Sequence, residues 1–158
     1  MDSQIEDWVR AVTRRLEHEV GQCFMEQTWE VRLPQLPRGR APIELPHPAI
    51  EIVAIEYLDA SDEKRALPVD GYRLEVDRYE SVLRPLREAV WPSTPADGRV
   101  VITVKCGYGN TAEATPETAR LFILGKLVEQ FDPKSGKERE TRQSVYLDGL
   151  VSDLKTYA

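Results

Sequence analysis

Cysteine and histidine are scarce, at two each in 158 residues, and their scarcity removes several classes of function. Two thiols cannot build a disulfide framework, so Cys23 and Cys106 read as reduced, buried, small hydrophobic residues. His18 and His47 have no ligand spacing with either cysteine, and no metal site is expected. No apolar run reaches the roughly 20 residues that a membrane helix needs, and no membrane association is expected. The opening MDSQIEDWVRAVTRR lacks a basic stretch followed by an apolar core, so no export signal is read there. Basic residues are outnumbered, 21 against 27, for a net charge of −6 and a pI near 5.1. That balance argues against a nucleic-acid surface built on overall charge, although a channel wall along which DNA slides would itself be acidic or neutral. The chain has no GxSxG, no HExxH and no phosphate loop. Carboxylates are spread along polar faces, so no catalytic residue and no cofactor is assigned.

What is present centres on Val100 to Phe131. Val100, Ile102 and Val104 alternate with Val101, Thr103 and Lys105, the pattern of a half-buried strand. Gly107 and Gly109 flank Tyr108, and this triplet is read as a structural turn. Thr115, Pro116 and Glu117 then form a helix start. Ala119, Phe122, Ile123, Lys126 and Leu127 lie on one helical face, and Leu121, Leu124, Val128 and Phe131 widen the apolar surface past a single stripe. Such a helix is expected to pack against more than one neighbour.

Upstream, Ile5, Trp8, Val9, Val12, Leu16 and Val20 follow helical spacing, with Asp2 or Ser3 as cap and Gly21 as the stop. Trp8 is expected to anchor the core, His18 to be solvated, and His47 to sit in a turn between prolines. The segment QTWEVRL from Gln27 reads as a strand, and five prolines between Pro34 and Pro48 leave room only for a short strand around Ile43 to Leu45. In Ala49 to Leu58 apolar residues occupy both parities, which predicts a bulge or a strand covered on both sides. Lys64 to Leu67 reads as the return arm of a hairpin with that strand, and Tyr72 to Val76 with Ser81 to Leu86 as a second pair, so this region is expected to be a meander. Residues 28–106 as a whole are expected to hold about six short strands and no helix. Beyond Phe131 the run DPKSGKERETRQ reads as a solvated loop. Val145, Leu147, Leu150, Val151, Leu154 and Tyr157 fall at helical spacing and need something to pack on, in this chain or another.

The order of these landmarks resembles the phage and prophage head-to-tail connector proteins, also called adaptors. The resemblance runs from Ile5 to Tyr157, through EHEVGQCFMEQTWEVRL, IELPHPAIEIVAIEYLD, Tyr72-Arg73-Leu74, Trp91-Pro92, VITVKCGYGN with its Pro-Glu helix, and YLDGLVSDLKTYA. Members usually carry another short helix before the one that starts at Ile5, and Lys134 to Arg142 is more highly charged than the family pattern. The resemblance implies an α+β fold in a single connector domain, residues 1–158. A small helical bundle (residues 2–20, 116–131 and 145–157) carries an antiparallel β insertion at 28–108, and residues 109–158 form the C-terminal helical part. It implies a structural virion protein with no chemical step, assembling in the host cytoplasm and ending in the virion neck. It also implies a ring of about a dozen copies between the portal and the stopper or tail, with DNA passing non-specifically through its lumen. Leu147, Leu150, Val151 and Leu154 are the candidate contacts to the portal or to a neighbouring subunit. The readings that compete are a monomeric interaction module, and an enzyme or small-ligand protein with an unrecognised site.

Overall fold

The computed structural model describes residues 2–131 together with Val151 and Leu154. The chain divides into two compact units, one of Met1–Met25 with Tyr108–Tyr157 and one of Glu26–Gly107. The fold is α+β.

In the helical unit, α1 spans Asp2–Val20. Val12, Leu16 and Val20 recur every fourth residue, which places them on one face, and that face is the buried one. Gly21 ends the helix at φ 72°, where the amides of Gly21 and Gln22 both donate to the carbonyl of Glu17, at 2.9 and 3.2 Å. The Glu17 carboxylate accepts the Phe24 amide at 2.8 Å, turning Phe24 into the core. The second helix, α2, spans Glu117–Phe131 and follows a 3-10 turn at Ala112–Ala114. Leu16, Val20, Phe24, Ala119, Phe122, Val151 and Leu154 form the core of this unit.

The other unit holds seven strands: β1 Gln27–Leu33, β2 Ile43–Leu45, β3 Ala49–Leu58, β4 Lys64–Ala66, β5 Tyr72–Val76, β6 Ser81–Pro85 and β7 Val100–Cys106. They form two sheets, in the orders β1-β7-β3-β4 and β2-β6-β5, with every named pair antiparallel. The expected hairpins β3–β4 and β5–β6 both form, but there are seven strands where about six were expected, and they divide between two sheets. The last strand, β7, inserts between β1 and β3, while β2 leaves to join β6. Burial explains the choice: Val100, Ile102, Val104 and Cys106 are all buried, so β7 suits the middle of a sheet. Leu36, Ile43, Ile55, Tyr72, Leu83, Trp91 and Ile102 meet between the two sheets. The mixed parity of β3 resolves into register shifts between Ala49/Glu51 and Ile52/Ala54, which leave Ile50 and Val53 exposed.

Candidate interaction surfaces

No helix among the described residues is long and apolar enough to cross a membrane, and no group of three or more metal-ligating side chains occurs among them. One pair has the composition of a nucleophile and its base. His47 Nδ1 lies 2.9 Å from Ser81 Oγ, and His47 Nε2 lies 3.2 Å from the Arg78 carbonyl oxygen. Ser81 Oγ also accepts the Ala49 amide at 2.9 Å, and both residues are buried. A hydroxyl occupied on both sides and shut off from solvent cannot meet a substrate, so the pair is a structural link between the β2–β3 turn and β6. Burial lowers the His47 pKa from its usual value, although the Arg78 carbonyl and the Asp77 charge act the other way. The sequence placed His47 in a turn but gave no sign of Ser81, 34 residues away, as its partner.

The helical unit presents an apolar stripe. Leu121, Leu124 and Val128 stand at i, i+3 and i+7 on α2 and are 40%, 57% and 55% exposed. The opposite face of the same helix supplies Ala119 and Phe122 to the core, and Lys126 Nζ covers the Phe122 ring at 5.7 Å. Of the four C-terminal candidates, Val151 and Leu154 are helical positions buried in this core, whereas Leu147 and Leu150 lie outside the described residues. Gln22 bonds to two distant positions of this unit. Its Nε2 donates to the Leu154 carbonyl, and its Oε1 accepts the Tyr108 hydroxyl at 2.5 Å. Tyr108 also stacks on Phe24, centroids 6.3 Å apart, and burial raises its pKa. Its amide donates to the Phe24 carbonyl at 3.0 Å, and Gly107 and Gly109, at φ 119° and 153°, bracket it.

In the sheet unit, the basic residues on strands are ion-paired, whereas several arginines on loops are not. Arg32 meets Glu30, Arg73 and Arg84 meet Glu75, Lys64 meets Glu56, Arg65 meets Asp59 and Glu63, and Lys105 meets Glu26. Arg38, Arg40, Arg87 and Arg99 are exposed, lie on loops and have no ion pair among the described residues. The first three share one structure. Trp91, itself buried, donates its amide to Gly39 O at 2.9 Å and its indole Nε1 to Ala41 O at 2.7 Å, and Arg40 Nη1 donates to Ala89 O at 2.6 Å. Residues 34–42 and 86–91 are thereby tied into one tip, from which Leu86 and Val90 also project.

No family model matches the chain, and no curated protein matches it. Solved structures do. A chain of the virion of a native gene transfer agent particle aligns with a TM-score of 0.78 at 19% identity, over 100% of this chain and 79% of that one. A chain from the neck of the native particle, computed with C12 symmetry, gives 0.78 at 16% over 98% and 83%. One from the neck of the empty particle, computed with C6 symmetry, gives 0.77 at 20% over 99% and 79%. This chain therefore has the fold found in those gene transfer agent particles.

Proposed function

We propose that the protein is a structural component of the neck of a phage-like particle, a ring-forming adaptor between the portal and the stopper or tail, with DNA passing through its lumen. The observation that carries this reading is the match of fold over nearly the whole chain to chains of particle necks computed with sixfold and twelvefold symmetry. An adaptor needs no chemical step, and its physical requirements are surfaces for protein contact and a wall that does not hold DNA. The exposed stripe on α2 meets the first requirement, and a net charge of −6 is compatible with the second.

Within this reading the α2 stripe docks on the portal. Leu121, Leu124 and Val128 offer the contact, whereas Val151 and Leu154 are buried in the core of the helical unit. Leu124→Asp removes half-exposed apolar area without opening the core, so the unfolding free energy measured in urea stays within about 0.5 kcal/mol of the wild type. The same change introduces an unpaired charge at a buried contact and weakens portal binding at least about tenfold. Light scattering over a wide concentration range, alone and with the portal of the same particle, tests both levels. A closed oligomer, alone or formed only on the portal, is the expected result. A wild-type chain that remains monomeric in both conditions removes the adaptor reading.

A further inference from the structure

The small sheet β2-β6-β5 ends in two surfaces of opposite character. At the C-terminal end of β6 stands the tip formed by residues 34–42 and 86–91, with Leu86, Arg87 and Val90 beside Arg38 and Arg40. Three arginines face a single acid there, Glu88, in a chain that is acidic as a whole. At the N-terminal end of β6 stands the turn of residues 77–80, which joins it to β5 where Val76 pairs with Ser81. Asp77 Oδ1 accepts the amides of Tyr79 and Glu80, at 2.7 and 2.8 Å, and these bonds lower its pKa and keep it ionised. Val76 and Tyr79 are 45% and 42% exposed, with Arg78 packed over the Tyr79 ring, and the exposed Glu80 carboxylate has no ion pair among the described residues.

We infer that these two ends bind each other between adjacent copies of the chain. The arginine tip of one copy meets the Val76–Glu80 turn of the next, a head-to-tail contact through the sheet unit. Complementarity selects a second copy as the occupant. Each end pairs exposed apolar side chains with charge, and the net charges are opposite in sign, three arginines against Glu88 at the tip and Asp77 with Glu80 against Arg78 at the turn. Both ends are held by hydrogen bonds to the backbone before contact, so little ordering is lost on docking. Opposite ends of a five-residue strand lie about 17 Å apart, so one copy engages two neighbours at once. A contact between different surfaces of identical subunits generates a ring when its rotation closes. The inference rests on the adaptor reading for the ring itself and adds the surfaces that close it.

Two variants test it. One carries R38Q, R40Q and R87Q in the tip; the other carries Y79S and E80K in the turn. All five positions are exposed, so both variants are expected to fold, and urea unfolding of each verifies this. Masses are measured by light scattering, alone and on the portal, at low and high salt. Each variant is expected to self-associate at least about tenfold more weakly than the wild type, and wild-type association to weaken with salt. Mixed together, the two variants are expected to form one-to-one dimers and stop, because only one intact tip and one intact turn remain to meet. Variants that assemble like the wild type overturn the inference and leave the adaptor reading standing, as does a mixture that stays monomeric. So does a tip variant that loses binding to a 30-base-pair duplex while self-association is unchanged, since the arginines then serve a phosphate backbone. A wild-type chain that never oligomerises removes both readings.

Discussion

His47 shows how one side chain couples a turn to the solution pH. With its hydrogen on Nε2, the neutral ring donates to the Arg78 carbonyl and accepts from Ser81, whose oxygen already takes the Ala49 amide. Protonation would put a second hydrogen on Nδ1 and leave the Ser81 hydroxyl without its acceptor. In the unfolded chain His47 takes up a proton near the ordinary value of 6.5, whereas the folded chain resists it to lower pH. The unfolded state therefore binds more protons below pH 6.5, and stability falls as pH drops through that value toward the lowered folded one. The slope is at most about 1.4 kcal/mol per pH unit for one proton. Urea unfolding at pH 7.5, 6.5 and 5.5 measures it, and His47→Gln is expected to flatten the difference. Parallel pH profiles for wild type and variant would refute the assignment. Ser81→Ala, which strands the Ala49 amide, is expected to cost about 1–3 kcal/mol at every pH. None of this was legible in the sequence, because a hydrogen bond across 34 residues leaves no local periodicity.

At the scale of elements, local signals located what they could reach. The helix from Asp2 to Val20, the helix after Pro116 and the strand from Val100 were all legible, because apolar spacing and cap residues act within a few positions. The apolar width of α2 was legible too, and the structure divides it into a buried face at Ala119 and Phe122 and an exposed one at Leu121, Leu124 and Val128. The GYG turn is the element where one atom decides the conformation. Gly109 has φ +153°, and a Cβ built there meets the Ala114 Cβ at 2.8 Å, well inside contact distance. Gly109→Ala therefore combines an unfavourable backbone angle with a clash against the 3-10 turn that leads into α2. We expect it to destabilise the protein by more than about 1 kcal/mol, measured as a shift in the urea midpoint at constant slope. Gly39 serves as the control. It has φ +68° but nothing within 4 Å of the added carbon, so Gly39→Ala meets backbone strain alone and is expected to cost less. Equal losses at the two sites would remove the steric argument.

At the scale of the whole molecule, the pairing of the chain's distant parts decides what can stand alone. The sequence placed a β region between helices, but it could not show that the region's first and last strands lie side by side. Gln27 pairs with Cys106 and Leu33 with Val100, so the chain enters and leaves the sheet unit at adjacent points on neighbouring strands. An insertion with neighbouring ends perturbs its host little, and the core between its sheets draws only on residues within 26–107. Residues 26–107, expressed alone, are therefore expected to fold as a cooperative unit with a single urea transition and dispersed amide resonances. Its marginal size predicts a lower stability than that of the intact chain. The arginine tip and the Val76–Glu80 turn both belong to this fragment, so it also retains the head-to-tail contact inferred above and loses the α2 stripe. Salt-sensitive self-association of the fragment, with no affinity for the portal, is the expected combination. A fragment that collapses without a cooperative transition would show that the sheet unit depends on its helices, and the two compact units would then be one folding unit.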